Sequence, residues 1–273
     1  MTIQSIIDKL LNYYPEIPLK EGSCDGFKCG NPQDECTGIV TSVASSIHVI
    51  QEAIRLGANL LIVHEPSFYT HLDKTDWLQN NEVYKRKRAL LDEHGIAIWR
   101  DHDHIHAHKP DGIMYGVTQE LGWQDYLLGN PEEMGFHYRF RLPETTVKEL
   151  ALFLKEKMGL NAVRVIGNVE GKISTVAFVG HLYLSVPEEH GTRIANDDNI
   201  DVLIPGELID WTTASYMRDA GQLGMHKAIL HVGHMSMEEL GMKYAVHTIG
   251  GLIQNSVPIT FVRSADMYQY VGL

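Results

Sequence analysis

The sequence predicts an α/β protein built as two similar α/β half-domains with a metal site in the cleft between them. Three observations carry that expectation. Apolar runs of strand length alternate with segments of helical period along most of the 273 residues. A pattern of helix, Leu-Gly, apolar strand and His leads to His64 and recurs leading to His231. Residues able to ligate metal follow three of the strands, where open α/β sheets bind their ligands.

The elements follow in order. The opening MTIQSIIDKLLNYYPEI sets Asp8 and Lys9 among apolar residues at helical spacing, which predicts an amphipathic helix. It has neither a basic start nor a small-residue cleavage site, so it does not read as a signal peptide, and a cytoplasmic location is expected. Residues 38–44 read as a strand, Ser46 as the N-cap of the next helix, Gly57 as its end, and 59–63 (NLLIV) as a buried strand. A long helical stretch, 77–93, leads through Gly95 to a strand at 96–99, and a helix is expected over 112–121. The stretch 122–143 is loop-rich, and Gly129, Asn130 and Pro131 mark a break.

That break divides the chain into halves 1–125 and 126–273. In the second, helices are predicted at 146–158, 208–220 and 237–252. Strands are predicted at 162–166, 175–179, 202–204, 227–232 and 259–262, with a polar loop over 191–199. The C-terminal part of this half is expected to return His234 and Glu238 to the shared site.

Composition narrows the partners. A net charge of −12 argues against nucleic acid, whose binding relies on clustered Lys and Arg. The basic run Lys85 to Arg88 sits with Glu82, Asp92 and Glu93 and reads as a solvated helix face. No apolar window is long enough to span a bilayer. Cys24, Cys29 and Cys36 are odd in number and poorly spaced for a closed zinc site, so reduced thiols are expected. There is no nucleophile elbow, phosphate-binding loop or dinucleotide fingerprint.

The chemistry lies in three clusters. His64 and Glu65 directly follow the strand NLLIV, and Pro66 ends further pairing. Alone the motif is weak, since a His at a strand end is more often a hydrogen-bonded structural residue. The run 101–108 interleaves His102, His104, His106 and His108 with Asp101 and Asp103. If extended, it puts the four imidazoles on one face, and otherwise it is a polar surface tract. In the third, Gly233 permits a turn and a helix begins, so His234 and Glu238, four apart, share a face. Glu239 with Ser236 would form a capping box, a structural use. Mixed imidazole and carboxylate ligation suits zinc, iron or manganese.

At these residues the chain resembles the Nif-three-like dinuclear-metal-centre family, also called GTP cyclohydrolase I type 2 homologues. The resemblance begins loosely at Cys24-Asp25-Gly26, where Asp25 matches best. It continues through the segment ending at His64, through His102 to His106, and through Pro205-Gly206-Glu207-Leu208 to Gly233-His234-x-x-x-Glu238. Two positions depart from the family. The second His of its His-His-Pro is Glu65 here, and its central Asp is His106. The exchange is reciprocal, so the implied ligand set remains three His and two carboxylates: His64, Glu65, His106, His234 and Glu238. His106, not Asp103, takes the central place because it lies four residues beyond His102.

The resemblance implies two divalent transition-metal ions and a toroidal homohexamer. On the leading reading the protein is a metal-dependent hydrolase of a small molecule. Glu65 or Glu238 would bridge the ions, while His102, His104, His108 or Asp103 would orient ligands or shuttle protons. The alternatives are a non-catalytic regulatory or scaffold protein, and metal storage by the His tract.

Overall fold

The computed structural model describes residues 1–15, 22–135, 137–183, 187–197 and 199–271. The chain forms two compact units, 1–116 with 239–264, and 117–238 with 265–273. The first unit supplies strands β1 (Gly26–Cys29), β2 (Ile39–Ser42), β3 (Leu60–Val63) and β4 (Ala97–Arg100). The second supplies β5 (Arg139–Thr146), β6 (Arg164–Gly167), β7 (Lys172–Leu182), β8 (Val202–Leu208) and β9 (Ala228–His231), and β10 (Ile259–Phe261) returns to the first. The helices are α1 (Ile3–Tyr13), α2 (Ile47–Leu56), α3 (Glu82–Glu93), α4 (Asp103–Ala107) and α5 (Gly112–Leu121). They continue with α6 (Val147–Met158), α7 (His190–Asp197), α8 (Thr213–Gln222) and α9 (His234–Leu252).

In the first unit the sheet order is β1-β4-β3-β2-β10. β2, β3 and β4 are parallel neighbours joined through α2 and α3, β10 adds in parallel beside β2, and β1 lies antiparallel beside β4. Every residue of β2, β3 and β4 is buried, as expected of parallel strands covered on both faces. Val40, Leu61, Val63 and Ile98 pack with Val49, Ile50 and Ala53 of α2. The Ser46 hydroxyl caps α2 by accepting from the Val49 N–H, and Gly57 ends it in the left-handed region.

The second unit has the order β5-β7-β8-β9-β6. β7, β8 and β9 are parallel and joined through α7 and α8, with β5 antiparallel beside β7 and β6 antiparallel beside β9. Topologically β7, β8 and β9 therefore correspond to β2, β3 and β4, and β6 corresponds to β1. The edge strands carry matching glycines. A Cβ on Gly30, at φ +84°, would lie 2.3 Å from the Ala97 Cα, and one on Gly167, at φ +105°, would lie 2.2 Å from the Lys227 carbonyl oxygen. In both units only glycine allows that edge to meet the start of the last core strand.

Several sequence expectations change. The Leu-Gly echo aligns β3 with β9, whereas the topology aligns β3 with β8. The echo reflects two helix ends before strands, not the register of the repeat. Residues 191–199, expected as a loop, lie largely in α7, whose Ile194 and Ala195 are buried in the core. β5 runs through the end of the stretch expected to be loop. The helical stretch from 77 is interrupted, with a short 3-10 turn at Asp76–Leu78 before α3. In the basic run, Lys85, Arg86 and Arg88 reach solvent or surface carboxylates, but Lys87 is buried and donates to the Ser67 carbonyl at 2.6 Å. The first helix ends at Tyr13, and residues 16 and 17 of its predicted span lie outside the described residues.

Candidate metal centre

In each unit, side chains able to ligate a metal stand at or after the carboxyl ends of the parallel strands. In the first unit β3 ends into His64 and Glu65, both buried, and their N–H groups donate to the Val43 carbonyl beside β2. β4 ends into Asp101 and then turns into α4. Residues 103–107 are therefore helical, with His102 and His108 as caps, and not the extended ladder that would place four imidazoles on one face. The cause is Asp25, 77 residues upstream of His102. Its carboxylate accepts the backbone N–H groups of His102, Asp103 and His104 at 2.7, 2.8 and 2.9 Å, and so caps the helix N-terminus. It also takes His104 Nδ1 at 2.5 Å, which turns His104 away from its neighbours.

His64, His102 and His106 converge, with one ring nitrogen of each within 4.8 Å of the others. The His64 and His106 Nε2 atoms lie 3.1 Å apart. His64 Nδ1 faces the Asp101 carbonyl at 3.0 Å, and His106 Nδ1 faces the Asp111 carboxylate at 2.9 Å. A carbonyl only accepts, and the carboxylate does the same when ionised, so the proton of each neutral ring belongs on Nδ1. Two Nε2 lone pairs are then aimed at one point. Two ring nitrogens aimed at one point share either a proton or a metal ion, and the geometry fits an ion held by two imidazoles. Asp111 has a second role: its other oxygen accepts the Met114 N–H and caps α5.

The His102 ring stacks on His64 at 4.6 Å and meets His106 edge-on at 4.9 Å. Burial, reinforced by His64 and His106, pushes its pKa down to about 4, so it stands neutral. Its Nδ1 faces Asp103 at 2.9 Å. Asp103 looks away from the His64–His106 pair, toward the Ser23 hydroxyl and the Cys24 N–H. Burial opposes its ionisation, but bonds from Ser23, His102 and Cys24 outweigh that and hold it well below the usual carboxylate range.

Cys24 also lies within ligand distance of His102 and Asp103. Burial pushes its thiol up to about 12, the protonated form, which is a poor ligand. All three cysteines are free and buried.

Arg100, fully buried at the end of β4, braces the loop after β3. Its Nε donates to the His64 carbonyl at 2.9 Å, one terminal nitrogen lies 3.6 Å from Glu65, and the other lies 3.4 Å from Asp73.

In the second unit α9 begins at His234 itself, so His234 and Glu238 share its first turn, with His234 Nε2 3.0 Å from the Glu238 carboxylate. Ser236 and Glu239 form no capping box, because both lie inside the helix. Glu239 instead accepts from Arg263, the Ser264 N–H and the Ser264 hydroxyl at 3.0, 2.6 and 2.9 Å. His234 Nδ1 faces Glu207 at 2.6 Å, and His181 Nδ1 bonds the other Glu207 oxygen. His181 and Glu207 are cross-strand partners in β7 and β8. Burial works against the Glu207 charge, but hydrogen bonds from His181 and His234 prevail and bring its pKa down to about 2.

Thus the structure brings His64, His102 and His106 together in one unit and His234 and Glu238 together in the other. His104 and Asp103 are directed elsewhere, and His108 Nδ1 bonds the Pro110 carbonyl. Asp25, Asp111, Glu207 and His181 had no role assigned from sequence. Asp111 was within reach as the residue before a predicted helix, and Glu207 through its Gly-Glu-Leu context. His181 carried no signal.

Comparison with known proteins agrees with this architecture. The family model for Duf34/NIF3 (NGG1p interacting factor 3) matches residues 1–266. A Chlamydia trachomatis protein named GTP cyclohydrolase 1 type 2 homolog is 23% identical over 92% of this chain and 96% of its own. A Lactococcus lactis protein of the same name is 29% identical over 81% and 84%. Among solved structures, a Staphylococcus aureus protein superposes with a TM-score of 0.72 at 18% identity, covering 99% of each chain. A Bacillus cereus protein related to NIF3 gives 0.68 at 16% identity, covering 100% of this chain and 98% of its own. No helix among the described residues is long and apolar enough to cross a membrane. With its family model matched over nearly the whole length, the chain belongs to the DUF34/NIF3 family.

Proposed function

We propose that the protein holds two divalent transition-metal ions, zinc, iron or manganese, and uses them to hydrolyse a small molecule. The proposed ligands are His64, Glu65, His106, His234 and Glu238. The observation that carries the reading is the His64–His106 pair, whose Nε2 atoms face each other at 3.1 Å while both Nδ1 atoms are held by acceptors. His234 is mounted the same way, with Nδ1 on Glu207 and Nε2 beside Glu238.

Such an ion pair, when bound, supplies water of lowered pKa and polarises the bond attacked. The chain's own residues prepare the site. The Asp101 carbonyl, Asp111 and Glu207 fix ring tautomers and orientation. Glu65 and Glu238 are the carboxylates that would help hold the ions, and Arg100 steadies Glu65. His102, neutral and stacked on His64, is proposed to orient ligand or substrate. GTP, the substrate evoked by the relatives' name, is a weak candidate because the sequence sets no basic phosphate cradle beside these clusters.

One observation favours a second reading. The side chains expected to shuttle protons are committed to the protein itself, His104 Nδ1 to Asp25, Asp103 to Ser23 and Cys24, and His108 Nδ1 to the Pro110 carbonyl, which suits a non-catalytic metal-dependent regulatory or scaffold protein. A broad hydrolase screen of metal-loaded protein against Glu238→Gln separates the two. Turnover above the free-metal background that the substitution abolishes supports the hydrolase, and no turnover from either favours the second reading. A toroidal hexamer, implied by family resemblance, belongs to the same proposal. Light scattering at six times the 30.8 kDa chain supports it, and a monomer mass across micromolar concentrations rejects it.

A further inference from the structure

The first unit contains a cavity of about 350 Å³ behind α4, on ground the metal reading does not use. Its walls come from α1, from the segment 105–112, from α5 and from α9. Its existence depends on glycines. A Cβ on Gly116 would lie 2.9 Å from the Gly241 Cα, and one on Gly241 would lie 2.7 Å from the Ile113 carbonyl oxygen. α5 and α9 therefore meet backbone to backbone, and their larger side chains are left to flank the space beside the crossing.

Those side chains are aromatic. Tyr13 stacks on His108 at 4.8 Å, and Tyr115 meets Tyr244 edge-to-face at 5.6 Å. Leu10, Ile105 and Ile249 supply apolar surface. Tyr13 and Tyr115 stay exposed to solvent, so the cavity has an open mouth. Among the described residues lining it there is no Asp, Glu, Lys or Arg. Polar groups are few. Tyr14 lines the wall but donates its hydroxyl to Asp101 at 2.6 Å. His108 holds the Pro110 carbonyl through Nδ1, which leaves Nε2 as its acceptor. Thr248 adds a hydroxyl, and burial together with the neighbouring Tyr115 raises the Tyr13 pKa, which keeps that phenol a donor.

We infer that this cavity is a small-molecule site for a neutral, planar, bicyclic heteroaromatic ring. The volume lies at the small end of ligand pockets. Aromatic walls favour a flat ring that can stack or meet them edge-on. An uncharged lining disfavours phosphate or carboxylate, whose burial without a partner is costly. A few hydroxyls and one imidazole nitrogen match ring nitrogens and an exocyclic polar group.

The inference is independent of the metal proposal, and its test uses full-length protein. Saturation-transfer NMR and titration of tyrosine fluorescence are run with quinoxaline, indole and adenine as neutral probes, and with tetramethylammonium as a cation. At least one neutral probe should bind with a dissociation constant of about 1 mM or tighter. Tyr115→Ala, at a half-exposed wall, should weaken it about tenfold, and Thr248→Trp, which fills the space, should abolish it. Both variants should keep the wild-type metal content and melting temperature, which separates failure here from failure of the metal reading. Absence of neutral-probe binding, binding unchanged in both variants, or preference for tetramethylammonium would overturn the inference. So would loss of an oligomer in Thr248→Trp, which would make the cavity an interface between copies.

Discussion

The two units share a three-strand parallel core, an antiparallel edge strand and a glycine where that edge meets the core, yet they mount their imidazoles differently. In the second unit the mounting is local. α9 starts at His234, its own first turn brings Glu238 round, and Glu207 reaches His234 from the neighbouring strand end. In the first unit His106 rides on α4, with His102 at its N-cap, and this helix of five residues is too short to persist alone. It is held by Asp25, from the loop entering β1, and by Asp111, from the start of α5. The same job is done by a helix's own geometry in one place and by distant carboxylates in the other. The first unit's arrangement should be the more fragile.

The largest expected effect tests which side chain of α4 matters. His106→Ala should lower metal affinity by about 100-fold or more, while Asp103→Ala, which touches only His102 among the His64–His106 cluster, should cost about tenfold at most. Titration against a chelator reads both, and equal losses or the reverse order would show that α4 is read in the wrong register.

Next comes the fragility itself. Asp25→Ala removes the acceptor for three backbone N–H groups and should cost about 2 kcal/mol of stability together with metal affinity. Glu207→Gln should cost about tenfold in metal affinity with little change in melting temperature, because Glu207 is half exposed and caps nothing. If both variants melt alike, the contrast between the units fails.

A smaller effect sits in the first unit alone. Burial brings the Lys87 pKa down to about 8 from an ordinary 10.5. A folded pKa below the unfolded one means that the unfolded chain binds more protons between these values. The charged lysine therefore costs stability below pH 8, and the cost fades as pH rises from 8 to 10.5. Melting of wild type and Lys87→Met across that window should show wild type gaining on the variant by about 2 kcal/mol. Parallel curves would place the ammonium in solvent.

What was legible in the sequence follows the same division. NLLIV announced a buried strand, Ser46 and Gly57 announced the ends of α2, and His234 with Glu238 needed only helical spacing. The alternation in 101–108 looked extended because the residue that makes it a helix is Asp25, far away in sequence. The repeat could not be registered from Leu-Gly, a helix-end signal. Its real marks are Gly30 and Gly167, whose meaning appears only when a backbone lies 2–3 Å from the missing Cβ. His181 was invisible because its partner, Glu207, comes from a neighbouring strand.

The most direct test is an anomalous-scattering map from crystals grown without chelator, collected above and below the zinc, iron and manganese edges. The account predicts two peaks, with His64 Nε2, His106 Nε2 and His234 Nε2 each about 2.0–2.1 Å from a peak and Glu65 and Glu238 supplying oxygens. A peak bound by Asp103 or Cys24 in place of His106, or no peak after reconstitution with each metal, would contradict it.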